Sequence, residues 1–414
     1  MNGKPPWLIL ALILLFSACT GQPGILTPAD TSAPDVTGTL PIAASSTLPA
    51  TPTLTPISPE LPVVASPNLV YLDFQDPQNG WGIAISSKGE SVTRSYILRS
   101  VDGGETWLDA TPPQASIGYS TRLFTLDTNT IWVLVPATDF FTGTLYHTAD
   151  GGLTWTSGPV PFGSADLQFL DDNIGRALAD RGAAAGSEAV ELYQTSDGGL
   201  TWTSVFHDDP NQLDSSDSLP FSGIKNGMTF LDTDTGWVTG TRPIDGDLYL
   251  FVTRDGGVSW AQQEIPLPAG YEAYQYKPQA PVLFGQVGFL PLMIDLPDSV
   301  ELTFYITDNS GATWLGDPTD AGRDLPPCLD AFSDATHAWC WDGGSILYFT
   351  ADGTQSWAST ATNLDLSGHL IQLDFVPGPG GQFTGWALTS VDESGNSQLY
   401  RTTDNGTIWA TLIP

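Results

Sequence analysis

An all-β chain folded as a seven-bladed β-propeller is predicted by three features of this sequence. One eight-residue turn recurs seven times, its closing tryptophan returns at intervals of 43 to 58 residues, and a Phe-x-Asp element runs beside most copies in a matching register. Self-similarity at such a period marks an architecture of repeated supersecondary units, and each interval has room for four short strands with connections. Four-stranded sheets set radially bury their faces between neighbours and leave few open edges.

The turn is SVDGGETW from Ser100 to Trp107, and it returns in copies ending at Trp155, Trp202 and Trp260. Weaker copies end at Trp314, Trp357 and Trp409. In these Asn309 replaces the aspartate, Thr354 replaces the second glycine, and Ile408 replaces the hydroxyl residue. The central side chains are Asp102, Asp150, Asp197, Asp255, Asn309, Asp352 and Asp404. Each is suited to accept hydrogen bonds from backbone N–H groups of its own reversal, while glycine supplies the positive φ. The tryptophan opens the next strand and offers a broad apolar face to a neighbouring sheet. Seven repetitions of one constellation point to architecture rather than to seven reaction centres.

The second element is Phe74-x-Asp76 ahead of Gly80-Trp81. It repeats as Phe169, Asp171 and Gly175, as Phe230, Asp232 and Gly236-Trp237, and as Phe332, Asp334 and Trp339. Asp127 with Trp132 keeps part of it, Phe375 with Gly385-Trp386 carries an insertion, and the unit around Phe284 and Phe289 is the most degraded. Within the first blade the strands read LVYLDF, GWGIAI, SYILRS and TWLDAT, with the turn before the last. The stretch Asp232-Thr-Asp234-Thr-Gly236 looks like the start of a calcium loop. It lacks the later glutamate of an EF-hand and falls on the inner hairpin turn, so no metal is assigned. Two closures of the ring stay open: packing of whole blades, or a strand added from Leu61 to Ala65.

Composition agrees with many turns and many flat side chains: 43 Gly, 33 Pro and 14 Trp in 414 residues. Lys and Arg total 13 against 46 Asp and Glu, a net charge of −33. A chain so acidic repels nucleic acid and anionic lipid surfaces, which disfavours both as partners.

The propeller is expected over 67–414. Ahead of it, residues 1–18 carry Lys4 and an apolar run from Trp7 to Phe16, too short to span a bilayer. Small residues then lead into Cys19, and Leu15-Phe16-Ser17-Ala18-Cys19 resembles a bacterial lipobox. That resemblance implies cleavage before Cys19, lipid on its thiol, and a lipid-anchored place on the extracytoplasmic face of the cell envelope. Residues 19–66 are rich in Pro, Thr and Ser, as in LPATPTLTPISPELP, and bury too little to offset ordering entropy, so they read as a disordered tether. The remaining Cys328 and Cys340 fall in one expected hairpin, where export permits a disulfide and the alternative is a pair of buried thiols.

The signature S/T-x-D-x-G-x-T-W resembles the Asp-box, or BNR, repeat of sialidases, sortilin-type receptors, xyloglucanases and photosystem II assembly factors. With its F-x-D…GW companion and its blade count, the chain is most similar to the photosystem assembly-factor family, which implies a propeller that works by binding protein. The arginine-rich patch of that family has no counterpart in nine scattered Arg residues. The arginine triad that a sialidase would need is also missing: Arg242-Pro243-Ile244 has the wrong order. G-x-S-x-G and H-E-x-x-H are missing too, and no cofactor is called for.

In a propeller the d-to-a and b-to-c connections share one face, opposite the repeat turns, and length variation there marks the working side. The long connections His207 to Asn226 and Pro266 to Pro281 flank the fourth blade, and the second holds Tyr271, Tyr274 and Tyr276. The loop of that blade adds Arg242, Asp245 and Asp247, and an earlier loop offers Phe140 and Phe141. Aromatics mixed with carboxylates suit a protein surface or a stacked sugar. The expectation is therefore an adaptor or assembly factor for an exported or membrane protein, with a glycan-binding or glycan-cleaving surface protein as the alternative.

Overall fold

The computed structural model describes residues 60–88, 91–208, 218–267, 270–316, 325, 328–390 and 396–413. The export segment, Cys19 and the tether up to residue 59 lie outside the described residues. Seven antiparallel sheets follow one another along the chain, and blades 2 and 3, 3 and 4, 6 and 7, and 7 and 1 meet through their first strands, which places those strands on the inside. The first blade uses Leu69–Phe74, Gly80–Lys88, Ser91–Ser100 and Trp107–Asp109 as strands a to d. Blades 2, 3, 4, 6 and 7 repeat that order, with inner strands at Arg122–Thr125, Ala165–Phe169, Ile224–Phe230, Leu329–Phe332 and Leu370–Pro377.

Blade 5 departs from the pattern. Its inner strand is split into Gln275–Pro278 and Val282–Phe284, both paired with Val287–Asp295, and among the described residues its outer strand is a single bridge from Ile306 to Leu315. This is the unit whose repeat is most degraded in sequence.

The repeat turn is a closed hydrogen-bonded unit. In blade 3, Thr195 Oγ1 donates to Asp197 Oδ1 at 2.8 Å and accepts from Gly199 N at 3.0 Å. Asp197 accepts in turn from Thr201 N at 2.9 Å and from Thr201 Oγ1 at 2.6 Å. Both glycines take positive φ, 73° and 90°. Where the copy is degraded the backbone keeps its course: Ser310, Thr354 and Asn405 occupy glycine positions at φ 58°, 67° and 63°.

Four boundaries are joined by a second device, in which a strand-b aromatic lies on the Phe-x-Asp phenylalanine of the following blade, while Trp237 of blade 4 instead meets Trp314 edge-on. Trp132 stacks on Phe169 at 3.7 Å between centroids, Trp339 on Phe375 at 4.0 Å, Phe289 on Phe332 at 4.9 Å, and Trp386 on Phe74 at 3.7 Å. The indole N–H then donates to the repeat turn of that following blade, from Trp132 to Gly198 O at 2.8 Å and from Trp386 to Gly103 O at 2.9 Å. Blade 3 has Arg176 in this slot. Its guanidinium lies over Phe230 at 5.1 Å and donates to Thr233 O at 2.7 Å, so a flat cation replaces the indole. The turn tryptophans complete the packing: Trp107, Trp260, Trp314 and Trp409 are buried, and Trp155, Trp202 and Trp357 are half-buried.

The ring closes by packing of whole blades. Trp386 on Phe74 is the same joint as elsewhere, and Asp374 Oδ2 accepts from Phe74 N at 2.8 Å while Gln372 Oε1 accepts from Leu72 N at 3.0 Å. Val63–Val64, within the stretch expected as tether, does form a strand, on the outer edge of blade 1 against Trp107 and Leu108, and Val64 packs on the core that blades 1 and 7 share. Cys328 and Cys340 are joined in a disulfide that ties the start of blade 6 to its second strand.

Two predictions follow from this packing. Thr354 is a β-branched residue held in the left-handed region, which costs about 1–2 kcal/mol. Thr354→Gly is therefore expected to raise stability by about 1 kcal/mol in denaturant unfolding. At the seam, burial and then the adjacent Asp73 push the Asp374 carboxyl up to about 7, so the folded ring favours its protonated form. That contribution is complete below the unfolded carboxyl range near pH 4 and is lost as pH rises to about 7. Asp374→Asn keeps an acceptor for Phe74 N, and the stability difference between variant and parent is expected to grow in the variant's favour from pH 4 to pH 7.

Candidate binding face

The two ends of the propeller are used differently. On one, each repeat turn is tied to the a–b hairpin of its own blade, as in Gly151 N to Asn129 O at 3.0 Å and Gly198 N to Asn173 O at 2.9 Å. The Phe-x-Asp carboxylates are spent there as well: Asp232 Oδ1 accepts from Asp234 N and Thr235 N, so the calcium-like string is a hairpin turn. Among the described residues no three His, Cys, Asp or Glu side chains gather as metal ligands. The opposite end carries the b–c and d–a connections.

On that end the b–c loop of blade 2 holds Phe140 and Phe141 in solvent, 54% and 53% exposed. Its backbone is fixed. Ala137 N donates to Thr142 O at 2.8 Å, and Asp139 Oδ1 accepts from both Phe141 N and Thr142 N at 3.0 Å. The Thr142 amide, with that of Phe141, holds the Asp139 carboxyl below its usual range. From blade 3, Arg181 donates to Phe141 O at 3.2 Å and to Pro161 O at 2.8 Å, while its Nε is held by Glu191 at 3.0 Å. Two large aromatic side chains are thus presented on a backbone that has already lost its freedom.

The loops flanking blade 4 do come together, since Gly246 N donates to Tyr274 O at 2.9 Å. Their side chains are used differently from one another. Tyr276 is buried and donates to Tyr271 O at 2.7 Å, and burial with Glu272 nearby pushes its phenol up to about 12. Tyr271 donates to Glu301, and Tyr271 and Tyr274 pack against the core of Trp237, Tyr305 and Trp314. The three tyrosines fill the boundary between blades 4 and 5. Arg242 forms a two-pronged pair with Asp247, Nη2 to Oδ1 at 2.6 Å, over the ring of Tyr249. Asp245 remains exposed.

Sequence reasoning missed what joins these loops. Residues 182–186, Gly-Ala-Ala-Ala-Gly, form the exposed tip of the b–c hairpin of blade 3, and Gly186 lies against Pro243 of blade 4, which leads into Ile244, 53% exposed. With Arg181, itself paired to Glu191, bridging to Phe141 on the other side, a row of exposed apolar side chains runs over blades 2 to 4: Phe140 and Phe141, then Ala183 to Ala185, then Pro243 and Ile244. A run of three alanines between glycines was the available signal. At the inner end of blades 1 and 2, Tyr71, Tyr119, Arg122 and Leu123 line a pocket of about 370 Å³.

These observations define a seven-bladed β-propeller with one end committed to its own turns and the other carrying the b–c and d–a connections. No family model matches the chain, and no curated protein matches it. Among solved structures it is similar to a polysaccharide lyase of the PL25 ulvan lyase type, with 11% identity over 85% of this chain and 94% of that one at a TM-score of 0.51. It is also similar to YCF48 bound to D1 peptide, with 15% identity over 84% and 91% and a TM-score of 0.46. YCF48 from Cyanidioschyzon merolae gives 17% identity over 84% and 98%, with the same score. At such identities the likeness is one of fold.

Proposed function

We propose that this protein is a binding module, an extracytoplasmic adaptor or assembly factor that holds another exported or membrane protein on the face carrying the b–c loops. The observation that supports this reading best is the ridge of exposed apolar side chains over blades 2 to 4. Protein interfaces are built around aromatic and apolar side chains presented on ordered backbone, and contiguous exposed apolar surface is uncommon on proteins that bind nothing. Phe140 and Phe141 are the natural anchors. The disulfide supports an oxidising compartment, and the lipobox-like Cys19 supports attachment to the outer side of a membrane through lipid.

Two experiments test this. Crosslinking from native membranes is expected to join the propeller to a defined envelope protein, and Phe140→Ser with Phe141→Ser is expected to weaken that capture at least roughly tenfold, as for anchor residues in other interfaces. Unchanged capture, or tight binding of soluble glycans with turnover, would replace the adaptor with the glycan-directed alternative. Separately, Cys19→Ser is expected to move the protein from the membrane fraction to the soluble extracytoplasmic fraction; retention in the membrane would remove the lipid anchor.

A further inference from the structure

On three of the blades the cations of this face are already spent. Over blades 3 to 5 every described Lys or Arg at this end has a carboxylate partner: Arg181 with Glu191, Lys225 with Asp208, Arg242 with Asp247, and Lys277 with Asp295. The side chains of Lys225 and Asp208 are almost wholly buried, so that pair is no part of the surface. Carboxylates are in surplus. Asp139, Asp245, Glu272, Asp298 and Asp342 are exposed in the connections of blades 2 to 6, and none is in an ion pair among the described residues. Asp139 and Asp245 adjoin the two ends of the ridge, next to Phe140 and Ile244. Arg122, on the inner strand of blade 2, and Arg94, by the b–c hairpin of blade 1, are exposed cations of this face in no ion pair among the described residues.

Building on the adaptor reading, we propose that the ridge from Phe140 and Phe141 to Ile244 docks a segment of a partner protein that is both apolar and cationic, with Lys or Arg side chains alternating with aliphatic or aromatic ones. The apolar side chains of such a segment cover the ridge. Its cationic heads reach the carboxylates at either end and the faces of the two exposed phenyl rings, which attract cations through their quadrupoles. The charge of the whole chain adds to this: a molecule of −33 draws a cationic segment in and repels an acidic one or a second copy of itself. Pairing the cations of blades 3 to 5 internally keeps them from opposing this preference.

The test uses the full chain carrying Cys19→Ser, so that no lipid competes, and three labelled peptides of equal length: alternating Lys and Leu, alternating Glu and Leu, and alternating Lys and Ser. Anisotropy titrations at physiological salt are expected to give binding of the Lys/Leu peptide at least roughly tenfold tighter than either other peptide. Phe140→Ser with Phe141→Ser should cost a similar factor while leaving thermal unfolding unchanged, as exposed positions allow. Asp139→Asn with Asp245→Asn should flatten the salt dependence, and Glu105→Gln on the opposite end should do neither. Equal binding of Lys/Leu and Lys/Ser, or indifference to the phenylalanine substitutions, would show bulk charge attraction and overturn the proposal. Preferred binding of Glu/Leu would overturn it as well. In each of those cases a native partner still lost by the phenylalanine variant in crosslinking would leave the adaptor reading standing, and a partner still captured would end both.

Discussion

The joint between blades is the interaction on which the rest of this structure depends. At five of the seven boundaries a flat side chain on the second strand of one blade lies on a phenylalanine of the next, and for Trp132, Trp339, Trp386 and Arg176 the polar edge is satisfied by a carbonyl in that blade's turns. Stacking supplies buried area and the N–H bond supplies register, so neighbouring sheets can meet only at one height. The carbonyl is in place because the turn is closed by its own aspartate and hydroxyl residues. Turn and stack are therefore one device, and losing either leaves a buried indole N–H or a mobile glycine loop.

This explains how degraded copies survive. Arg176 serves where tryptophan is missing because a guanidinium is planar, stacks on phenylalanine and donates to a carbonyl. Phe289 stacks without an N–H in the blade that is least regular. Asn405 keeps the left-handed backbone of a lost glycine and still offers its carbonyl to Trp339, at 3.3 Å. The requirement is geometric, and several side chains meet it.

A structural cost of this design falls on one end of the ring, whose aspartates and glycines are committed to turns. The other end is free of that duty. Its loops are stiffened by local devices such as the Asp139 turn and the Arg181 clamp, and over blades 3 to 5 its cations are absorbed in pairs with carboxylates. A rigid, apolar ridge with acidic ends follows from these choices together, and it is this surface that recommends a protein partner over a small substrate.

The repeat is a local pattern, so the primary structure by itself determined the blade count, the positions of the turns and the aromatic residues that hold the blades together. Hydrogen bonds between residues four apart, and a tryptophan that must follow them, are legible without knowledge of the rest of the chain. Which loop residues reach solvent depends on contacts between blades far apart in sequence, and that was decided only by the tertiary structure. Tyr271, Tyr274 and Tyr276 read as surface aromatics until blades 4 and 5 close around them, and Arg242 reads as a free cation until Asp247 folds back onto it. Pro243 and Ile244 carry no signal of their own, and the alanine run of blade 3 marks a small-residue tip without saying what lies beside it. They become a ridge with Phe140 and Phe141 only because radial packing sets three hairpins side by side.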